Sequence, residues 1–111
     1  MDREGEREVF RRHAEVFHVL SNALRHEIVH RLAQGPRTVS SLVEECDASK
    51  SSISQHLAIL RAYGLVEQRR EGRTIQFSLR YPELAEACRL VDAVLADQGE
   101  RSLRLHGLAL A

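Results

Sequence analysis

A serine-capped helix is predicted over residues 49–63, which read Ser49-Lys50-Ser51-Ser52-Ile53-Ser54-Gln55-His56-Leu57-Ala58-Ile59-Leu60-Arg61-Ala62-Tyr63, with Gly64 ending it. Three of these residues recur at helical spacing and form one narrow apolar stripe: Ile53, Leu57 and Leu60. The opposite face carries only small or neutral polar side chains: Ser51, Ser54, Gln55 and Ala58. A solvated helix face normally carries Glu and Lys. Gln can bond adenine bidentately and Ser can bond a base or a phosphate, so this face is typical of a helix that reads the DNA major groove.

A basic hairpin is predicted directly after this helix, with strands over residues 65–70 and 74–79 around Glu71-Gly72-Arg73. The second strand alternates apolar and polar side chains, which indicates a half-buried strand. Gly72 supplies the turn conformation. Arg69, Arg70 and Arg73 lie at or beside the tip, where they can reach a phosphate backbone.

Helices are also predicted on both sides of this unit, over residues 6–20, 22–34, 39–46 and 82–97. Ser21 is the predicted N-cap of the second helix, Thr38 or Ser40 caps the third, and Pro82 opens the last. The apolar stripes are Val9 or Phe10 with Ala14, Phe17 and Leu20; Leu24, Ile28 and Leu32; Leu42, Val43 and Cys46; and Leu84, Cys88, Val91 and Leu95. Residues 47–49 then form the turn of a helix-turn-helix. The predicted fold is mainly α with a small β-hairpin (α+β), in the order α-α-α-α-β-β-α.

Length and composition indicate one soluble domain over residues 1–97, followed by a tail, residues 98–111, expected to be partly disordered or to lie on a partner. The 111 residues are 43% hydrophobic and 29% charged, and no apolar run approaches the length of a membrane span. The highly charged residues 1–8 do not resemble a signal peptide. Two cysteines without an export signal favour a reducing cytosol, so we expect a cytoplasmic protein without a membrane partner.

Positive charge is concentrated on the proposed DNA-reading unit. The formal net charge of the chain is zero, which argues against a nonspecific nucleic-acid coat. Residues 49–80 nevertheless carry six Lys or Arg and two Glu, a net charge of +4, whereas residues 1–48 and 81–111 each carry −2. This distribution favours a localised nucleic-acid interface.

The sequence resembles the ArsR/SmtB-type winged-helix repressors of bacteria and archaea over roughly residues 10–95. The matching fragments, in order, are Leu20-Ser21-Asn22-Ala23-Leu24-Arg25, Ile53-Ser54-Gln55-His56-Leu57, Leu60-Arg61-Ala62-Tyr63-Gly64-Leu65-Val66 and Arg70-Glu71-Gly72-Arg73. The resemblance implies a winged helix-turn-helix homodimer, joined through its first and last helices, that represses from a palindromic double-stranded DNA operator until an inducer releases it. The DNA contacts that it implies are Lys50, Ser51, Ser54 and Gln55, with Arg70 and Arg73 on the wing.

His26-Glu27-Ile28-Val29-His30 matches H-E-x-x-H, the helix signature of zinc proteases. A small zinc hydrolase is therefore an alternative function, although no third ligand follows at a recognisable spacing and the chain leaves little room for a cleft. The structural alternative is that the two histidines are partly exposed residues of a packed helix and bind no metal. The same pair could instead hold a regulatory zinc or nickel ion with further ligands from His13, His18 or a partner chain.

Cys46 and Cys88 are candidate thiol sensors, since some members of the family respond to oxidants or reactive sulfur through two cysteines. Both lie on apolar stripes, so a structural role is the competing interpretation. No Lys or Arg adjoins Cys46 in the sequence to lower its pKa.

Two residues of the reading helix keep alternative interpretations. His56 lies beside the inward stripe, where it could touch a phosphate or be a half-buried residue that orients the turn. Lys50 faces the positive end of the helix dipole, which favours a base or phosphate contact over an ordinary solvated side chain. A winged helix that mediates only protein contacts is a further alternative, but it would not need the local charge of +4.

Overall fold

The computed structural model describes residues 1–110, with the side chains of residues 1–99. Its elements are α1 Arg3–Leu20, α2 Ala23–Leu32, α3 Val39–Cys46, α4 Lys50–Ala62, β1 Val66–Glu71, β2 Thr74–Leu79 and α5 Glu83–Leu110. The predicted order and the mainly α character with a small β-hairpin are confirmed.

Side-chain caps set the starts of the helices. Thr38 and Ser49 accept hydrogen bonds from the backbone N–H groups of Ser41 and Ser52, as predicted for α3 and α4. The predicted cap of α2 is wrong: Asn22, not Ser21, accepts from the Arg25 N–H at 3.0 Å. The Ser21 hydroxyl instead donates to the His18 carbonyl and so closes the end of α1.

Both terminal helices are longer than predicted. α1 begins at Arg3 rather than near residue 6, because Asp2 caps it and Glu4 and Glu6 lie in its positive first turn. α5 runs to Leu110 rather than ending near residue 97. A glycine inside a helix costs only about 1 kcal/mol relative to alanine, so Gly99 does not end it. The predicted tail is residues 98–111. Its side chains beyond Gly99 lie outside those that are described, so the separate tail stays a prediction.

The core joins α2, α3, α4 and the base of the hairpin, with one buried residue each from α1 and α5. Its members are Val19, Ile28, Val29, Leu32, Leu42, Ile53, Leu57, Leu60, Leu65, Val66, Phe77 and Cys88. The predicted stripe of α4 is confirmed, since each of its three residues is at most 1% exposed. Core packing therefore fixes which face of α4 is turned outward.

The hairpin is antiparallel, with Val66 opposite Leu79 and Glu71 opposite Thr74. The loop is thus two residues, Gly72 and Arg73, rather than the predicted three. Gly72 has a φ of +61° while Arg73 does not have a positive φ, which is the arrangement of a type II′ turn. Backbone bonds in both directions between Arg37 and Phe77 anchor the hairpin to the segment before α3.

The apolar residues predicted to face inward from α1 and α5 are largely exposed. Phe10 and Phe17 are 63% and 71% exposed, and Val91 and Leu95 of α5 are also exposed. Val19 is the buried residue of α1, and Cys88, at 5% exposed, is the buried member of the predicted α5 stripe. Periodicity identifies an apolar face but does not say whether the same chain covers it. Within the described part of the chain, no helix is both long and apolar enough to cross a bilayer.

Candidate nucleic-acid interface

α4 presents a polar face to solvent on the side opposite its buried stripe. Lys50, Ser51, Ser54, Gln55 and Ala58 are all exposed, as the sequence predicted for a reading helix. The face is free of carboxylates over residues 50–62, so it would not repel a phosphate backbone. These side chains share one helix face that a major groove can accept.

The turn between α3 and α4 holds the reading helix against the core. Asp47 ends α3 in the left-handed conformation, with a φ of +49°, and Ser49 caps α4 two residues later. Asp and Asn tolerate this conformation better than most residues other than glycine, because their short side chains can bond locally. α3 and α4 therefore form the helix-turn-helix that the residue pattern predicted.

The hairpin carries exposed cationic side chains towards its tip. Arg70 donates from Nε to the Gly72 carbonyl at 3.3 Å, which holds its guanidinium beside the turn. Arg69 lies 3.9 Å from Glu71 in a solvent-exposed pair that adds little stability. Arg73 is exposed in the turn itself. The wing thus presents the three arginines singled out in the sequence.

His56 is half-buried beneath the reading face and lies against α2. Its Nδ1 is 3.2 Å from Nη1 of Arg25, a contact between residues 31 positions apart. A guanidinium nitrogen can only donate, so Nδ1 is the acceptor and the ring proton lies on Nε2. Burial, and then the charge of Arg25, lower the pKa of His56 below its usual range. A phosphate contact by the other ring nitrogen stays a prediction.

Arg25 is the residue of this region that the sequence interpretation missed. It lies in the first turn of α2, and its Nε also donates to the Val19 carbonyl at 2.7 Å. The residue pattern offers no local signal for this role because both partners of the side chain lie outside α2. The fragment containing Arg25 carries part of the family resemblance, but that resemblance assigns the side chain no role.

The His56 environment predicts a pH effect on stability. A histidine whose pKa is lowered on folding contributes its full stability above the unfolded value of about 6.5. That contribution is lost as the pH falls below this value, because the unfolded chain then binds the proton more tightly. We expect the urea midpoint of the wild type to fall between pH 7.5 and 5 more steeply than that of His56→Asn. The other histidines are common to both proteins, and equal slopes would contradict the assigned environment.

The described side chains do not assemble a metal site around His26 and His30. His26 lines an apolar groove of about 270 Å³ between α1, α2 and α5, while His30 Nδ1 lies 3.8 Å from an Asp92 oxygen. Glu27, the base of the protease motif, instead accepts a hydrogen bond from Arg31. Among the described residues, no group of three or more His, Cys, Asp or Glu is placed to hold an ion. The side chains of residues 1–99 therefore do not bring three ligands together for a zinc or nickel ion within one chain, and a regulatory metal at His26 and His30 stays a prediction.

The two cysteines occupy different environments and are both free thiols. Cys46 is half-buried; burial raises its pKa, and Glu27 raises it further, against an opposing effect of Arg31. Arg31 is a cationic neighbour that the sequence did not reveal, since it comes from α2. Cys88 is buried, and burial together with Asp92 raises its pKa. Both thiols are thus held protonated, which disfavours nucleophilic reactivity at neutral pH. Their sensor role stays a prediction.

Comparison with known proteins places the chain among transcriptional regulators. The family profile "Bacterial regulatory protein, arsR family" matches residues 22–68, from α2 through the start of the wing. The HTH-type transcriptional regulator KmtR of Mycobacterium tuberculosis is 38% identical over 72% of this chain and 60% of its own length. The HTH-type transcriptional repressor SmtB of the same organism is 34% identical over 87% of this chain and 70% of its own length.

A solved structure supports the same assignment. The homodimeric winged helix-turn-helix DNA-binding domain of Mb0332 from Mycobacterium bovis superimposes with a TM-score of 0.73. It is 30% identical to this chain, and the superposition covers 87% of this chain and 88% of that one. At this coverage the similarity extends beyond the matched family region, residues 22–68.

Proposed function

Because the chain belongs to the ArsR family of bacterial regulatory proteins, it is a DNA-binding transcriptional regulator, and we propose that it acts as a dimeric repressor. In this proposal α4 reads base edges in the major groove through Lys50, Ser51, Ser54 and Gln55. Arg70 and Arg73 of the wing contact phosphates beside the same half-site.

The polar face of α4 carries the proposal. It is exposed, free of carboxylates and opposite a fully buried stripe, so it is turned away from the core. The net charge of +4 on residues 49–80 supplies the electrostatic attraction that neutral Ser and Gln side chains cannot. Half of this net charge lies on α4, through Lys50 and Arg61, and half on residues 65–80, so the helix and the wing share the attraction.

The uncovered apolar faces of α1 and α5 support the homodimer. Among the described side chains of these two helices, the large apolar ones that are exposed are Val9, Phe10, Phe17, Leu90, Val91, Val94 and Leu95. Phe17 and Val91 line one apolar groove between α1 and α5, and exposed apolar surface that is contiguous usually marks an interaction site. A second copy that covers these faces would give the two-fold symmetry that a palindromic operator requires.

Selection from a random duplex DNA library tests the function and identifies the preferred operator in one experiment. We expect an inverted repeat whose half-sites lie about 34–36 Å apart, one helical turn, or a multiple of it. Fluorescence anisotropy should then show binding to the selected duplex at least about 1,000-fold tighter than to a scrambled one. Equal affinity for both duplexes would contradict sequence-specific repression.

The same anisotropy assay can identify the inducer, because an inducer should release the protein from the selected duplex. The side chains of residues 1–99 offer no three-ligand site within one chain, and both thiols have raised pKa values. Zinc, nickel, peroxide and polysulfide are added separately to the preformed complex of wild-type protein and selected duplex. Release by a metal would indicate ligands shared between two chains or ligands from residues 100–111, whereas release by an oxidant that Cys88→Ser abolishes would indicate a thiol sensor.

Arg73→Ala should weaken binding to all DNA sequences. The logarithm of the binding constant falls linearly with the logarithm of the salt concentration. Loss of one phosphate contact makes this slope less steep by about 0.9, hence by about 2 for the two wings of a dimer. Anisotropy titrations of selected and scrambled duplexes over a salt series measure this slope. The matched control is Arg89→Ala, which removes the same charge from an α5 residue paired with Glu86. An unchanged slope in Arg73→Ala would remove the wing from the interface.

A further inference from the structure

Arg25 connects three helices through one partly buried side chain. Its backbone N–H is bonded to the α2 cap Asn22, its Nε donates to the Val19 carbonyl of α1 at 2.7 Å, and its Nη1 donates to His56 of α4 at 3.2 Å. The guanidinium therefore spans from the end of α1 to the underside of the helix that is proposed to read DNA.

We propose that Arg25 is a positioning residue for sequence readout: it sets the rotation of α4 against α1 by holding the Val19 carbonyl and His56 Nδ1 at once. This inference rests on the proposed function, because it explains how the reading face is aimed. Arg25 itself does not contact DNA in this arrangement.

The chemistry of the bridge requires an arginine. The Val19 carbonyl is one of the last four of α1, which have no partner within their own helix. The Ser21 N–H and hydroxyl both go to His18, so Arg25 is the donor that the structure records for Val19. Two donors in a fixed plane satisfy both acceptors, whereas a lysine ammonium is a single point charge on a flexible stem.

Because of the position of His56, the hydrogen bond from Arg25 restricts the rotation of the exposed polar face of α4. His56 follows Gln55 directly and precedes the buried Leu57, so its ring lies at the boundary between the exposed face and the core. Apolar packing of α4 is non-directional and tolerates small rotations. Hydrogen bonds have narrow angular preferences, and recognition requires side chains to be held within about 0.5 Å and 10–20°.

The other end of the bridge lies on α1, whose apolar face is proposed to contact the second copy. α4 is thus tied to the helix that would determine the distance between the two reading helices of a dimer. An operator with a fixed half-site spacing requires this relationship to be rigid. Loss of the bridge should therefore reduce discrimination between DNA sequences more than it reduces general attraction to DNA.

The test measures the ratio of affinities for the selected and scrambled duplexes, at a temperature where unfolding curves show each variant to be folded. Arg25→Met keeps an unbranched apolar stem without donors, and His56→Leu removes the acceptor. We expect each to lower the ratio about tenfold, the size of one good base contact. The double variant should lose little more than either single one, since both changes break the same contact. In Arg25→Met, which changes no proposed DNA contact, the affinity for scrambled DNA and its salt slope should stay as in the wild type.

Conservative variants separate positioning from general stability. His56→Asn keeps an acceptor near the place of Nδ1 and should lose less discrimination than His56→Leu. Arg25→Lys keeps the charge but lacks the rigid planar pair of donors, so it should retain only part of the ratio. If Arg25→Met does not fold, the comparison of His56→Asn with His56→Leu still decides the question.

The possible failures are distinguishable. A wild-type protein that does not prefer the selected duplex would overturn the proposed function, and this inference with it. A wild type that discriminates, together with folded Arg25→Met that discriminates equally well, would overturn only the positioning role. Additive losses in the double variant would likewise show that the Arg25–His56 contact is not the connection.

Discussion

Leu57→Ala is expected to lower the free energy of unfolding by about 2–5 kcal/mol, because it leaves a cavity where a 1% exposed side chain packs. Domains of this size are typically stable by only about 5–15 kcal/mol, so the loss is a large fraction of the total. Leu57 lies between Ile53 and Leu60 on the stripe that fixes α4 to the core. The variant should therefore lose DNA binding on warming before the wild type does.

Urea unfolding at a fixed protein concentration measures this effect, since the stability of a dimer depends on concentration. The matched control is Ser54→Ala, a substitution on the exposed face of the same helix, which should change the free energy by no more than about 0.5 kcal/mol. Equal stability of Leu57→Ala and Ser54→Ala would mean that the stripe of α4 is not the buried one.

Gln55→Ala is expected to relax base preference at one position of each half-site, at a cost of about 1–3 kcal/mol for the matching base pair. A bidentate contact to adenine discriminates against the other bases, and alanine cannot form it. Because the side chain is exposed, the folded structure should be unaffected. Binding to scrambled DNA and its salt dependence should also be retained, since Gln55 carries no charge.

Affinities for the selected duplex and for its single-base variants, measured at one salt concentration, map the position that is lost. Gln34→Ala is the matched control, because it removes the same amide from an exposed residue outside α4 and the wing. A base preference unchanged by Gln55→Ala would refute the assignment of α4 as the reading helix, even if the protein still binds DNA.

Short-range interactions explain why the helix-turn-helix and the hairpin can be predicted from residue types. The caps at Thr38 and Ser49 are short-range bonds to N–H groups three residues away. Gly72 adopts a positive φ that most other residues avoid. Where two capping residues stand side by side, as at Ser21 and Asn22, local chemistry permits either, so residue type alone does not decide between them.

The terminal helices show where periodicity stops being informative. Phe17 and Val91 have the spacing of core residues and yet are exposed. Apolar periodicity records that a face will be buried, whether by the same chain or by another. The family resemblance, rather than the pattern, points to a second copy as the cover.

Some features of the candidate site are likewise predictable from the sequence, and others depend on tertiary contacts. The exposed Ser and Gln of α4 and the arginines of the wing are predictable from residue type, because each depends on its own position in a helix or turn. The contacts of Arg25 with His56 and Val19, and the neighbourhood of Cys46 with Glu27 and Arg31, are not. Residue types and spacing thus determined the order of elements, the buried stripe of α4 and its reading face. Only the tertiary structure decided which side chains from separate helices meet, because hydrogen bonds and pKa values depend on distances of a few ångströms that sequence separation does not encode.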